Sequence, residues 1–411
     1  MEGSSGMTVE GLLGLEGMAE AKIRAGRAGV HKMITKINVM EVPDIIDWVE
    51  EGEFLLTTAY SIKDDLHKLR DLISQLSQKG IVGLGIKTKR YIESIPADVI
   101  ERAEELNFPL IEIPYEISYA TIISRGLTEI ISNQRNLLQQ TEFFEDLLSR
   151  DLTKHQRALD RGTYFQFDSQ LSYTVIVISI NERAGCHQYS LETSNEQHGI
   201  KLKLLRIVKN VAKNQKKKVI CGNKRNQMVV LYGASPNTES IIQKNEVMNY
   251  AEEVMKHGKF EAIGCISIGI GRNYDVTKEI WKSYEEANRA VECGRGRESR
   301  QVVHYDGLGI YRILSYENLH PELIQLYQEV LEPLVKYDED KGTELVKTVK
   351  MFFKYNGNIK RISTEMYTHY NTIVYRIQRI QEITQMDLED DDTRLNVHLA
   401  LKILEMQLTQ K

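Results

Sequence analysis

Apolar residues change their spacing along this chain, and the changes divide it. From Met7 to Ser118, short apolar runs alternate with amphipathic stretches. Glu53-Phe54-Leu55-Leu56-Thr57-Thr58, Ile81-Val82-Gly83-Leu84-Gly85-Ile86 and Leu110-Ile111-Glu112-Ile113 predict strands. Leu66 to Lys79 carries Leu69, Leu72, Ile73 and Leu76 at helical spacing, and Pro96 opens a second helix that runs to Leu106. Strand and helix in alternation predict an α/β domain over residues 7–118 with a mostly parallel sheet. From Tyr119 to Arg150 the apolar period is purely helical, through Ile122, Ile123, Leu127, Ile130, Ile131, Leu137, Leu138, Phe144, Leu147 and Leu148. This predicts a linker over residues 119–160 whose helix either pairs with its copy in a dimer or packs on a neighbouring domain.

Residues 161–306 mix the two periods. Strands are expected at Ser172–Ile180 and Ile263–Ile270, with a last one at Val302-Val303. Lys218–Gly222 and Gln227–Gly233 read as a hairpin across a polar turn, and Gly199–Lys213, Asn245–His257 and Thr277–Cys293 as helices. The order is an α+β layout of the kind nucleotide cyclases use. Residues 307–411 read as helix alone. The expected fold class is therefore multidomain: α/β, then α+β, then all-α.

The last region holds the clearest chemistry. Glu344–Tyr355 is one helix, Asn356-Gly357-Asn358 breaks it, Ile359–Tyr367 is a short second helix and Asn371–Thr384 a third. Projected at about 100° per residue, the third helix gathers Ile373, Ile377, Ile380, Val374 and the methyl of Thr384 on one arc. The opposite arc holds Asn371, Thr372, Tyr375, Arg376 and Arg379, side chains that reach phosphates and base edges, Arg and Asn in bidentate fashion. A short helix, a tight turn and such a helix form the unit that enters a major groove, here from Gly342 to Thr384. Candidate DNA contacts are Lys360, Arg361, His369, Tyr370, Asn371, Thr372, Tyr375, Arg376 and Arg379.

Charge sharpens that picture. The 411 residues carry a net charge of -5, which does not advertise nucleic-acid binding. The distribution does: Gly342 to Gln381 holds seven basic residues against Glu344 and Glu365, whereas Glu382 to Asp392 holds six acids and no base. The composition, 42% hydrophobic and 27% charged with seven prolines, is that of a folded soluble protein. Met1 to Gly6 has the look of a vector-derived remnant before a natural start at Met7. No apolar run reaches the ~18 residues of a membrane span. Cys186, Cys221, Cys265 and Cys293 have no paired spacing and suggest reduced thiols in the cytoplasm.

Enzyme chemistry finds little support. The hairpin turn Gly222-Asn223-Lys224-Arg225-Asn226 has no acid to hold the magnesium a cyclase needs. Gly269-Ile270-Gly271 lacks the third glycine of a dinucleotide loop, and Cys186-His187 is an isolated pair in a polar segment. The ten histidines are scattered, so neither a metal site nor a cofactor is expected. Lys213 to Arg225 carries six bases, read as a solvated surface or a second nucleic-acid patch. Ligands of α/β domains sit at the carboxyl ends of strands, which nominates Glu41, Asp44, Thr57, Thr58, Gly85 and Lys87 as effector contacts. An enzyme working through the N-terminal domain, and a constitutive DNA-binding protein, are the alternatives.

The run His369-Tyr370-Asn371-Thr372-Ile373-Val374-Tyr375-Arg376-Ile377 closely resembles the H-R-N-T-(apolar)-x-Y-R-(apolar) signature of the PucR-type helix-turn-helix, shared with sugar-diacid regulators. Asp392-Thr393-Arg394-Leu395 and Leu399-Ala400-Leu401 resemble the family's closing helix. Tyr370 stands where the family usually has Arg, and Gln385 where Gly is usual. Glu41-Val42-Pro43-Asp44, Gly52 to Thr58 and Pro109 to Pro114 resemble elements of the PucR N-terminal domain, with Ala59 in place of a glycine. Gly269-Ile270-Gly271-Arg272 and Ser283-Tyr284-Glu285-Glu286-Ala287 are similar to the family's degenerate cyclase-type domain. The resemblance implies a regulator, often an activator, of nitrogen-compound catabolism, answering to purine breakdown products or to amino acids such as proline or alanine. The implied partners are operator DNA, a small-molecule effector, RNA polymerase and a second copy in a homodimer or higher even-numbered assembly, with no membrane.

Overall fold

A computed structural model describes residues 6–40, 45–63, 67–181, 194–224, 227–236, 238–260, 265–274, 277–295 and 302–406. In chain order the N-terminal region forms β1 (Met7–Thr8), α1 (Val9–Leu13), β2 (Lys22–Ala25), β3 (Met33–Ile34), β4 (Lys36–Val39), β5 (Glu53–Thr57), α2 (His67–Gln78), β6 (Gly83–Lys87), α3 (Ala97–Glu105) and β7 (Leu110–Ile113). The main sheet runs β2-β7-β6-β5-β4. β4 to β7 are parallel, with Phe54 opposite Gly83 and Leu84 opposite Leu110, and β2 joins the β7 edge antiparallel. β5 is buried at every position. A strand covered on both faces has no polar side to show, so its sequence is a continuous apolar run.

The two faces have different covers. Leu55, Leu84 and Leu110 pack with Leu69, Leu72 and Leu76 of α2 and Val99 of α3. Phe54, Leu56 and Ile111 pack with Leu12 of α1 and with Ile122 and Ile130 of α4 (Tyr119–Leu147). The early strands β1 to β4 escape the sequence pattern because two to four residues carry too little periodicity.

α4 is shorter than the apolar run that predicts it. It ends at Leu147, and α5 (Leu152–Arg161) starts afresh with Asp151 as its cap, the carboxylate accepting from Thr153 N at 2.8 Å. Then come β8 (Ser172–Asn181), α6 (Ser194–Asn214), β9 (Lys218–Lys224), β10 (Gln227–Ala234), α7 (Ser240–Phe260), β11 (Cys265–Tyr274), α8 (Ile280–Arg295) and β12 (Val302–His304). Contacts divide the chain into two compact units. One holds the N-terminal region with α4, α5, α6 and β9; the other holds β8, most of β10, α7 and β11, and everything from α8 onward.

In the first unit α4 is occupied along both halves. Gly126 lies where a Cβ would come 2.3 Å from Ile37, and Phe144 fills the place a side chain at Gly222 would need, also 2.3 Å away. In the second unit the strand order is β12-β11-β8-β10, with β11 parallel to β12. The Gly269 and Gly271 pair is there for close packing: a Cβ at either would meet the carbonyl of Ala287 or Ser283 on α8 at 2.1 Å.

The chain ends in helices: α9 (Tyr311–Leu314), α10 (His320–Val330), α11 (Glu332–Lys341), α12 (Leu345–Lys354), α13 (Ile359–Glu365), α14 (Tyr370–Thr384) and α15 (Asp391–Glu405). Val330, Leu334, Leu345, Val349, Phe352, Ile362, Ile373, Ile380, Val397, Leu401 and Ile403 form the common core of α10 to α15.

Candidate nucleic-acid interface

Each helix of the reader is held by a side chain at its start. Asp338 on α11 accepts from the Leu345 and Val346 amides at 2.7 and 2.9 Å and so caps α12 from outside. Asn356 and Gly357 take left-handed conformations, and Gly357 N closes on Phe352 O at 2.9 Å, ending α12 sharply. Asn358 then caps α13, its side chain accepting from Arg361 N at 3.1 Å. Tyr367, left-handed at φ 51°, makes the turn, and His369 Nδ1 accepts from Asn371 N to start α14. α13 ends two residues earlier than the sequence predicts because the turn claims Met366 and Tyr367.

α14 presents one face to the core and one to solvent. Ile373 is 0% exposed and Ile380 1%, so the apolar arc is buried where the projection places it. Asn371, Thr372, Tyr375, His369 and Tyr370 are exposed, as are Lys360 and Arg361 on α13. Gln378, which falls within about 20° of Asn371 on the projection, is exposed as well, and Tyr367 in the turn is 99% exposed. Reasoning from charge passes over both, since neither is a cation.

The two arginines behave differently from the rest of the arc. Arg376 Nη1 donates to Glu344 Oε2 at 3.1 Å, tying α14 to the residue that precedes α12. Arg379 donates to Glu382 Oε2 at 2.8 Å and to the Tyr337 hydroxyl at 3.3 Å. Hydrogen bonds from Lys347, then from Arg376, hold the Glu344 carboxyl below the usual carboxylate range. Lys347 and Lys354 also have acidic neighbours, Glu344 and Glu365. Among the described residues, Lys360 and Arg361 make no ion pair. Three of the acids that follow the basic stretch serve the next helix. Asp390 caps α15 by accepting from Thr393 N at 2.8 Å, and Asp391 and Asp392 occupy its first turn, where the helix dipole favours them.

At the other end of the chain, the parallel strands bring Thr57, Thr58 and Lys87 to one edge of the sheet. Thr57 Oγ1 already accepts from Ala59 N at 3.0 Å, so this hydroxyl forms the turn. Lys87 Nζ donates to Tyr115 O at 3.2 Å. Gly85 lies inside the sheet, where a Cβ would meet Ile113 at 2.6 Å and Leu56 at 2.9 Å, so its place in the fold is explained by packing. Glu41 and Asp44 lie outside the described residues, as does the Cys186-His187 pair. Near the end of β9, a cavity of about 270 Å³ is lined by Leu137, Gln140, Lys201, Lys209, Cys221 and Asn223 among others, with no carboxylate in its wall. Among the described residues, no group of His, Cys, Asp and Glu is placed to hold a metal ion, and no helix is long and apolar enough to cross a membrane.

An α/β domain, a second sheet domain and a helix-turn-helix with a solvent-facing polar helix define a multidomain DNA-binding regulator. Three family models match the chain in that order. The purine catabolism regulatory protein-like family matches residues 11–130, a GGDEF-like domain 149–293 and the PucR C-terminal helix-turn-helix domain 345–403. The chain belongs to the PucR family of transcription regulators. It is similar to the purine catabolism regulatory protein of Bacillus subtilis, 23% identical across 97% of this chain and 99% of that one. The proline-responsive transcriptional activator PutR of the same organism is 33% identical over 40% of this chain and 42% of its own. The DNA-binding transcriptional activator AdeR, also from Bacillus subtilis, is 26% identical over 44% and 43%.

Proposed function

We propose that this chain is an effector-responsive activator of a nitrogen-compound catabolic operon, working in the cytoplasm as a homodimer or higher even-numbered assembly. The observation that carries the reading is the pairing in one chain of the exposed polar face of α14 with a parallel sheet whose strand ends β5, β6 and β7 are followed by the exposed rings of Tyr60, Tyr91 and Tyr115. The relatives are named for purine catabolism, for a response to proline and for activation, which supports the same reading. In this reading Lys360 and Arg361 meet phosphates. His369, Tyr370, Asn371, Thr372, Tyr375 and Gln378 face the groove, and Arg376 and Arg379 fix the pose of α14. A metabolite at the sheet edge shifts the population of reader spacings, with RNA polymerase recruited downstream.

Leu127, Ile131 and Leu138 form an apolar stripe on the free side of α4 and supply the proposed dimer seam. Leu148, by contrast, is buried at the end of that helix and belongs to the fold. The test is a titration of duplex DNA by the full chain with and without proline, alanine and purine breakdown products. One class should change the affinity and the melting temperature together. DNA binding that ignores every metabolite would make this a constitutive binder, and consumption of a metabolite would make it an enzyme.

A further inference from the structure

The carboxyl edge of the N-terminal sheet carries a cluster of aromatic rings and cations, of which only Tyr119 packs against the core. Tyr60 follows β5, Lys87 ends β6, Arg90 and Tyr91 follow it, Tyr115 follows β7, and Tyr119 is the first residue of α4. These segments are remote in sequence, yet their side chains interlock. The Tyr60 and Tyr91 rings meet edge to face at 4.7 Å. The Arg90 guanidinium lies 5.0 Å from the centroids of both Tyr91 and Tyr115. Lys87 Nζ lies 4.6 Å from the Tyr119 ring and 5.5 Å from that of Tyr115.

Two features single the cluster out. Tyr60, Tyr91 and Tyr115 are 55%, 36% and 41% exposed, so three neighbouring rings face water at one place. The cations of this cluster also find little counter-charge among the described residues. Among the described residues neither Lys87 nor Arg90 makes an ion pair, and Glu116 acts on Lys87 only from a distance. Burial, and then the like charge of Arg90, push the Lys87 ammonium below its ordinary value. Ring faces attract cations but do not neutralise them. A guanidinium stacked on rings keeps its in-plane N–H edge free, the edge that takes a carboxylate in bidentate fashion.

We propose that Lys87, Arg90, Tyr60, Tyr91 and Tyr115 form the effector seat of this protein, and that the effector is a small carboxylate bearing a flat or unsaturated group. The carboxylate sits between Arg90 and Lys87, and the flat part lies on the exposed tyrosine faces. Strand order here follows chain order without reversal from β4 to β7, so no topological switch point opens a crevice between these strands. Rings then have to supply the contact area that pocket walls supply elsewhere. Tyr119 couples the seat to the rest: it touches Lys87 and it begins α4, so a ligand that moves Lys87 loads that helix directly.

The inference rests on the effector reading above, and the experiment separates the two. Benzoate is the probe, with benzamide for the missing charge and cyclohexanecarboxylate for the missing flat face. Binding to the full chain is followed by saturation-transfer NMR. A Kd on the order of 1–10 mM is expected for so small a probe, with both analogues weaker. Arg90→Gln, at an exposed site, and Lys87→Met should each weaken benzoate roughly tenfold or more. Lys87→Arg should restore it. Tyr115→Leu should narrow the gap between benzoate and cyclohexanecarboxylate. No saturable benzoate signal in the wild-type chain, or equal binding by Arg90→Gln, overturns the seat. If a metabolite changes DNA affinity equally in wild type and in Lys87→Met with Arg90→Gln, the sensor reading stands and the seat is wrong.

Discussion

Which cations meet DNA phosphate is the sharpest question the reader poses, and salt dependence answers it. Removing one phosphate-binding cation lowers the slope of log affinity against log salt by about 0.9, so affinity falls roughly 3.5-fold less between about 50 and 200 mM salt. Lys360 and Arg361 are exposed and make no ion pair among the described residues, so changing each to Ala should remove one such step. Arg376 is different. Its side chain is 19% exposed and pairs with Glu344, itself 44% exposed. A pair this open contributes about 0.2–1 kcal/mol, and the buried part of the stem adds about 0.8 kcal/mol per methylene. Arg376→Ala should therefore cost about 1–2 kcal/mol of stability and weaken DNA binding through the pose of α14, leaving the slope nearly intact. Anisotropy titrations of a labelled duplex over a salt series, alongside urea unfolding, separate the cases. If Arg376→Ala lowers the slope as much as Lys360→Ala while stability is unchanged, Arg376 leaves Glu344 for phosphate and the positioning role is wrong.

Other expectations concern strain, protonation and assembly. Gln385 ends α14 at φ 54°, so Gln385→Gly should raise stability in urea by about 0.5 kcal/mol, the left-handed penalty outweighing glycine's added chain entropy; a lower midpoint would contradict this. Ala59 is left-handed too, but it is wholly buried, so Ala59→Gly gives up a packed methyl and should gain less. His304 is buried near Lys244 and Arg272, and burial first, then Lys244, lowers its pKa to about 4 despite Asp306 nearby. The unfolded chain then binds more protons between about pH 6.5 and 4, so stability is held above that window and lost as pH falls through it, by about 2 kcal/mol from pH 7 to pH 5. Urea midpoints at the two pH values check this, and His304→Gln should flatten the difference. Ile131→Glu with Leu138→Glu should move the protein towards monomer by light scattering and weaken operator binding; an unaffected dimer would place the seam elsewhere.

Legibility in the sequence follows the strength of local pattern. β5, β6, β7 and α14 are readable because burial on both faces, or on one helical arc, dictates their residues one by one. β1 to β4 are not, since their pairing is set by partners distant in sequence. The break between Leu147 and Leu152 is invisible to apolar period, because Leu147 and Leu148 continue it while Asp151 restarts the backbone. Ion pairing is likewise non-local: nothing near Arg376 in sequence announces Glu344. The two positions where the family resemblance leads one to expect glycine, Ala59 and Gln385, are both left-handed, so those departures mark backbone geometry correctly. Tyr60, Tyr91 and Tyr115 carry no sequence signal as a group, because three separate strand ends deliver them.

The double burial of α4 has a consequence for anyone who would build hybrid regulators from this chain. Ending a sensor fragment at residue 118 would strip Ile122 and Ile130 from one face of its sheet. The usable splice lies between Asn133, which donates to Gly6 O at 3.3 Å, and Gln140, which donates to Cys221 O at 2.7 Å. Within that span the helix acts as an axle: each residue inserted turns the downstream half by about 100° and advances it by about 1.5 Å. Fusions differing by seven residues should therefore respond alike, whereas a two-residue insertion should point the downstream half the wrong way round.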